Sequence, residues 1–167
     1  MNFTDLLAMY GAILSTGIFG WNIYKSRAKV WVKLIYSVVD TDNRFESGIS
    51  IYIQNPTNHT IHISSISILY PYRAVNLIEY FEHLLKFKNI PRQIGWVHSE
   101  LSFYEIDNKC PFSLEPLQSK SIFISNDKLE LIFVEANKRE IKAVAQDQLW
   151  QNVYSRTFSV PERNNIQ

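Results

Sequence analysis

The chain has 167 residues, enough for one domain with its own core and an appendage, and too few for two ordinary domains. Seventeen Lys and Arg against sixteen Asp and Glu leave a net charge of +1, which argues against a nucleic-acid binder held by bulk positive charge and against an acidic tail. The single cysteine, Cys110, leaves no intramolecular disulfide and favours a reducing compartment, and ten Phe, nine Tyr and four Trp argue against disorder.

The first element is apolar. "LLAMYGAILSTGIFGWNIY", Leu6 to Tyr24, runs nineteen residues without a formal charge, roughly 28 Å of helix against a bilayer core of about 30 Å, and is expected to cross a membrane. A removed signal peptide would carry cations ahead of the apolar run and a small-residue cleavage site behind it, whereas here Asp5 precedes and Trp21, Tyr24 and Lys25 follow. A buried core helix is the other alternative, because Ser15, Thr16 and Asn22 make the run only mildly apolar. Lys25, Arg27, Lys29 and Lys33 follow the span and no Lys or Arg precedes it. That bias places the N-terminus outside and the rest of the chain on the cytosolic side of an inner membrane. Trp21 and Tyr24 suit the headgroup layer, with Trp31 a further candidate, while Lys25, Arg27 and Lys29 lie beside anionic lipid.

Ala8, Ala12, Thr16 and Gly20 recur every four residues, with Gly11 and Ser15 beside them, a stripe that would let a second helix approach closely. Self-association is one reading; the ordinary abundance of small residues in membrane helices is the other. Leu7, Tyr10, Leu14, Ile18 and Phe19 make the opposite, lipid-facing side.

Beyond Lys25 the period changes to two. "KVWVKLIYSVV" alternates Val30, Val32, Leu34, Tyr36 and Val38 against Trp31, Lys33, Ile35 and Ser37, as a strand does. "SGISIYIQ" repeats the pattern with Ile49, Ile51 and Ile53. "NPTN" supplies turn chemistry, and "HTIHISSISILY" returns as a strand whose phase shifts at Ser64 and Ser65, the mark of a bulge. These segments are expected to form a hairpin.

In "AVNLIEYFEHLLKFKN", Leu77, Ile78, Phe81, Leu84 and Leu85 fall on one side of a helix inserted between strands, which would also serve to cover a sheet edge. "GWVHSELSFYEI" reads as one strand or two short ones, "DKLELIFVEAN" as a short helix or strand, and "REIKAVAQD" and "VYSRTFSV" as strands joined by "DQLWQN". About seven short strands with one helical insertion are the pattern of an antiparallel β-sandwich. The expected organisation is a membrane helix and basic flank over residues 1–28, a β-sandwich over 29–161 and a polar tail over 162–167.

The stretches "ISIYIQNPTNHTIHISSISILYP", "FSLEPLQSKSIFIS" and "IKAVAQDQLWQNVYSRTFSV" together resemble small bacterial and phage single-pass membrane proteins with a cytosolic immunoglobulin-like β-sandwich. That group pairs a strand–Asn–turn–strand hairpin with a Leu-x-Pro edge and a terminal hairpin carrying an Asp, places filled here by Asn55, by Leu114 with Pro116, and by Asp147. The glycine usual in the terminal turn is replaced by "DQLWQN". The resemblance implies a mainly β fold behind an N-terminal helix, and no settled activity.

Residues that would carry chemistry are few. His59 and His62, three apart on a strand, point to opposite faces and do not share a metal. Cys110 with His83 or His98 is a formal nucleophile and base, but "NKCPF" has no flanking signature and a lone cysteine ordinarily fills apolar space. Asp40, Asp42, Asn43 and Glu46 lie in a loop of turn residues without the spacing of a calcium loop. There is no phosphate-cradling glycine loop, G-x-S-x-G or HExxH. The sequence therefore points to no catalytic residues, no metal and no cofactor. Lys86, Lys88, Arg92 and Trp96 are the densest mixture of cations and rings outside the helix, a candidate site for a nucleotide or an anionic headgroup, weighed against a solvated helix end beside core aromatics.

The expected function is a membrane-anchored, non-enzymatic interaction module whose partners are membrane lipid and either itself or another protein. The alternative is an oligomerising membrane effector, of phage-defence or toxin type, whose helices disturb the bilayer when the cytosolic domain senses a ligand or partner. A soluble domain with a core N-terminal helix is a third reading.

Overall fold

The computed structural model describes residues 3–26, 30–41, 44–88, 93–107 and 109–161. Asp42, Asn43, Arg27, Lys29, Arg92 and the tail 162–167 lie outside these.

Helix α1 (Phe3–Ser26) is continuous, and at 1.5 Å per residue it is about 36 Å long. Its stretch Phe3–Asn22 is long and apolar enough to cross a membrane, and none of it is buried against the rest of the chain. A core helix would bury one face. Ser15 Oγ and Thr16 Oγ1 both donate to the carbonyl of Ala12, at 3.0 and 2.8 Å, so these hydroxyls are satisfied inside the helix.

The remainder is mainly antiparallel β, in two sheets. The first contains β1 (Trp31–Thr41), β2 (Arg44–Gln54) and β6 (Ser119–Ser125), with β2 in the middle. The second is built on β3 (Ile61–Pro71), which pairs with β4 (Trp96–Glu100) and β5 (Phe112–Leu114) along one edge and with β7 (Glu140–Asp147) along the other. β7 is flanked in turn by β8 (Asn152–Tyr154) and β9 (Phe158–Ser159).

Both sheets turn alternate β-branched side chains into one core. Ile49, Ile51 and Ile53 of β2, Ile122 and Ile124 of β6, Ile61, Ile63, Ile66 and Ile68 of β3 and Ile141 of β7 are buried in it. Each such side chain contributes roughly 2 kcal/mol of burial, and the pattern selects register, because a one-residue slip would turn every isoleucine outward. The register of β3 against β7 shifts between Ile63 and Ser65, the bulge expected at Ser64–Ser65. Gly48 is required by close approach: a Cβ there would run into the Ile124 carbonyl oxygen and the Phe123 ring.

The expected hairpin across Asn55–Asn58 is not formed. β2 pairs with β1 and β6, and β3 with β4, β5 and β7, so the chain passes at Asn55 from one sheet to the other. The reason is local. Asn55 is fully buried; its Nδ2 donates to the carbonyls of His59, Leu114 and Glu115, and its Oδ1 accepts from the Thr57 N–H and hydroxyl. Its N–H donates to the Gln118 carbonyl. The asparagine ties a corner between two layers, which satisfies buried backbone that a two-strand ladder would otherwise serve.

Two further helices interrupt the strands. α3 (Asn126–Phe133) resolves the ambiguous "DKLELIFVEAN" as a helix, with Asp127 in its first turn, where the dipole favours an acid, and Leu129, Ile132 and Phe133 buried at helical spacing. Asn126 Nδ2 donates to Ser47 Oγ and to the Tyr36 hydroxyl, fastening the start of α3 to the first sheet. α2 (Leu77–Phe87) is the expected amphipathic insertion, but it buries no residue and so does not seal a sheet edge. The 3-10 turn Leu101–Tyr104 follows β4 where the second short strand was one reading.

Candidate functional site

Two concave regions flank the β core. The first lies beside α2, a cavity of about 260 Å³ bordered by Arg73, Glu79, Glu82, His83 and Lys86. Arg73 pairs with Glu79 at 3.4 Å, and the His83 ring rests on Phe87 with centroids 4.5 Å apart. His83 Nδ1 is buried there with no hydrogen-bond partner. The side of α2 that carries Glu79, Tyr80, His83 and Leu84 is half-buried, while Leu77, Ile78, Phe81 and Leu85 are exposed. Gly95, at φ +78°, lets the following turn fold back against Arg73 and Val75, where a side chain would collide.

The candidate cation and ring set does not converge on this cavity. Lys86 borders it, with its Nζ 5.5 Å from the Phe87 ring. Lys88 ends the helix in a left-handed conformation, φ +49°, and donates its N–H to the Leu84 carbonyl. Trp96 opens β4 and carries Lys142 Nζ over its ring at 4.1 Å, so its cation comes from β7. Arg92 lies outside the described residues. Among the described residues two carboxylates beside two cations make the cavity electrically mixed.

The second region is larger. A groove of about 790 Å³ runs along the outer edge of β1, between Val30–Ile35 and the segment that carries Val153, Tyr154, Arg156 and Phe158, with Tyr52 and Gln54 at its side. Among the described residues β1 is an edge strand of its sheet, paired with β2 alone. Such an edge presents backbone donors and acceptors to an incoming strand, and a groove beside it supplies side-chain specificity. Trp31 is 62 % exposed at its start, and Ile35 is also exposed. Sequence reading missed this surface. Its signal was the outward series Trp31 and Ile35, apolar where a solvated strand face would be polar.

Burial acts on two of the nucleophile and base candidates. Burial pushes the Cys110 thiol up, against a smaller opposing effect of Lys120. Partial burial pushes His98 down, and its ring stands edge-on to Tyr154 at 6.4 Å. His62 Nδ1 lies 2.7 Å from Ser113 Oγ on the neighbouring strand, and His59 lies beside Asn58 Oδ1. Asp40 and Glu46 sit in the β1–β2 ladder, Asp40 opposite Phe45 and Glu46 opposite Val39. Among the described residues no group of three His, Cys, Asp or Glu side chains is placed to hold a metal.

In α1, Ala8, Ala12, Thr16 and Gly20 share one side with Gly11 and Ser15 near it, and nothing lies within 4 Å of where a Cβ would stand on Gly11 or Gly20. Trp21 is exposed near the C-terminal end, and Tyr24 and Lys25 belong to its last turn.

The chain is therefore a two-sheet antiparallel β domain preceded by a helix with the length and composition of a membrane span. No family model, no curated protein and no solved structure matches it.

Proposed function

We propose that the protein is a membrane-anchored interaction module without enzymatic activity, in which α1 crosses an inner membrane with its N-terminus outside and an immunoglobulin-like β-sandwich stands in the cytosol. The observation that carries this reading is α1 itself, apolar along its length and unburied along its candidate span, because an apolar helix that the protein does not cover must find another apolar phase. The β1 edge and its groove are the docking surface: an extended segment of another protein adds a strand to β1 and places side chains between β1 and Val153–Phe158. The test is affinity purification of the tagged full chain from gently solubilised membranes, with mass spectrometry of its companions. A stoichiometric second protein that is lost in Ile35→Lys, on a folded background, supports the reading. A companion retained in that variant removes the β1 edge as the docking surface, and a chain found in the soluble fraction removes the anchor.

A second reading, the oligomerising effector, draws on the small-residue stripe, whose Ser15 and Thr16 hydroxyls are satisfied within α1 and place no polar demand on a neighbouring helix. It predicts growth arrest on overproduction and relief of that arrest by Gly20→Leu. A harmless overproduced protein would leave only the anchor.

A further inference from the structure

The turn between β7 and β8 is unusual for a hairpin tip. "DQLWQN" puts Leu149 and Trp150 at its apex, 77 % and 81 % exposed, where glycine, asparagine or aspartate is the ordinary choice. Trp150 has φ +62°, a left-handed conformation that aromatic residues rarely adopt. The turn is nonetheless tightly determined. Asp147 Oδ1 accepts the N–H groups of Leu149 and Gln151, both at 2.8 Å, the Trp150 N–H donates to the Asp147 carbonyl, and the Asp147 N–H donates to the Gln151 carbonyl. Backbone strain held this firmly presents two large apolar side chains to the outside in one geometry.

The tip lies at the end of the domain where α1 enters. β1 begins at Trp31, opposite Gln54; Gln54 leads into the Asn55 corner; Asn55 bonds to Leu114, which pairs with Ile61; and Ile63 pairs with Asp147, the residue that holds the turn. β8, directly after the turn, borders the same groove as Val30–Ile35. α1 ends at Ser26, and the domain resumes at Val30, a connection that spans at most about 14 Å when fully extended. Trp31, at the same end, is a second exposed ring. The opposite end of the domain, where Asp40 pairs with Phe45, is roughly 30 Å farther along the strands.

We infer that the Leu149–Trp150 tip inserts into the cytosolic headgroup layer of the bilayer that α1 crosses, giving the domain a second lipid contact. This rests on the membrane-anchored reading. The occupant is lipid because the short connection holds this end of the domain at the membrane surface, where an indole keeps its N–H among headgroups and its ring against acyl chains. Two contacts, α1 and the tip, fix the tilt of the domain and orient the β1 groove relative to the membrane.

The test uses the full chain with Cys110→Ala and Leu149→Cys, labelled at 149 with an environment-sensitive fluorophore and reconstituted in vesicles of phosphatidylethanolamine and phosphatidylglycerol that carry lipids spin-labelled near the headgroup. A Phe45→Cys label on the same background serves as the distal reference. The expected result is co-flotation with vesicles, a blue shift at 149 and quenching several-fold stronger at 149 than at 45. A chain that floats with 149 unquenched, or with 45 quenched equally, overturns the inserted tip and leaves the anchor standing. A chain that fails to float overturns the anchor and the tip with it. A blue shift at 149 that grows with protein density, without lipid quenching, assigns the tip to a second copy of the chain and overturns the proposal. An independent check needs no label: Trp150→Asn, which tolerates a left-handed backbone, is expected to lower tryptophan quenching by brominated lipid, and unchanged quenching would contradict insertion.

Discussion

α2 and α3 are short helices inserted between strands, and both present an apolar side at helical spacing in the sequence. α3 buries Leu129, Ile132 and Phe133 in the core, whereas α2 fully buries nothing and only half-covers Glu79, Tyr80, His83 and Leu84. The difference lies in what each packs against. α3 starts directly from β6, is fastened to Ser47 and Tyr36 through Asn126, and is closed by a bidentate Arg139–Glu130 pair with the guanidinium over the Phe133 ring. Among the described residues α2 has one exposed ion pair, Arg73–Glu79, an interaction worth well under about 1 kcal/mol. Apolar periodicity records that a face needs company, and only tertiary connections decide which company it has.

Substitutions in the two helices should separate widely. Ile132→Ala removes a side chain with no exposed surface and is expected to cost about 3 kcal/mol, lowering the melting temperature of the detergent-solubilised full chain by roughly 10 °C. An unchanged melting temperature would mean that α3 is not part of the core. Asn55→Ala should follow at about 2 kcal/mol, since the buried Leu114 carbonyl and the part-buried His59 and Glu115 carbonyls lose their shared donor; chemical denaturation reads this directly. At the other extreme, Phe81→Ser on α2 should change stability by less than about 0.5 kcal/mol, and a loss comparable to that of Ile132→Ala would show that α2 is packed after all.

The smallest effect concerns pH. Burial lowers His98 in the folded chain below its ordinary value of 6.5, so the unfolded chain binds the extra proton first. Its contribution is present above pH 6.5 and declines as pH falls through that value. His98→Gln should flatten this part of a stability-against-pH curve, and an identical slope in both proteins would assign it to other groups.

The regular strands were legible because β-branched residues alternate cleanly: β1, β2, β3 and β7 fall where period-two patterns put them, and Ser64–Ser65 marked the bulge through its break in phase. The terminal turn was legible through Asp147, whose carboxylate does hold it. The Asn55 corner was not, since alternating isoleucines before and after a turn look the same whether the strands pair in one sheet or face each other across two. Nor did nearness in sequence gather Lys86, Lys88 and Trp96 at one cavity: of these only Lys86 borders the cavity beside α2, and Lys142 supplies the tryptophan's cation. The β1 groove needs two segments more than a hundred residues apart, a pairing that no local pattern announces.

Anchoring of the chain by α1 is tested most directly by alkaline carbonate extraction of membranes from cells producing the full chain. The protein is expected to stay in the pellet through the high-pH wash and to be released only by detergent. Recovery of the intact chain in the carbonate supernatant would contradict that anchoring.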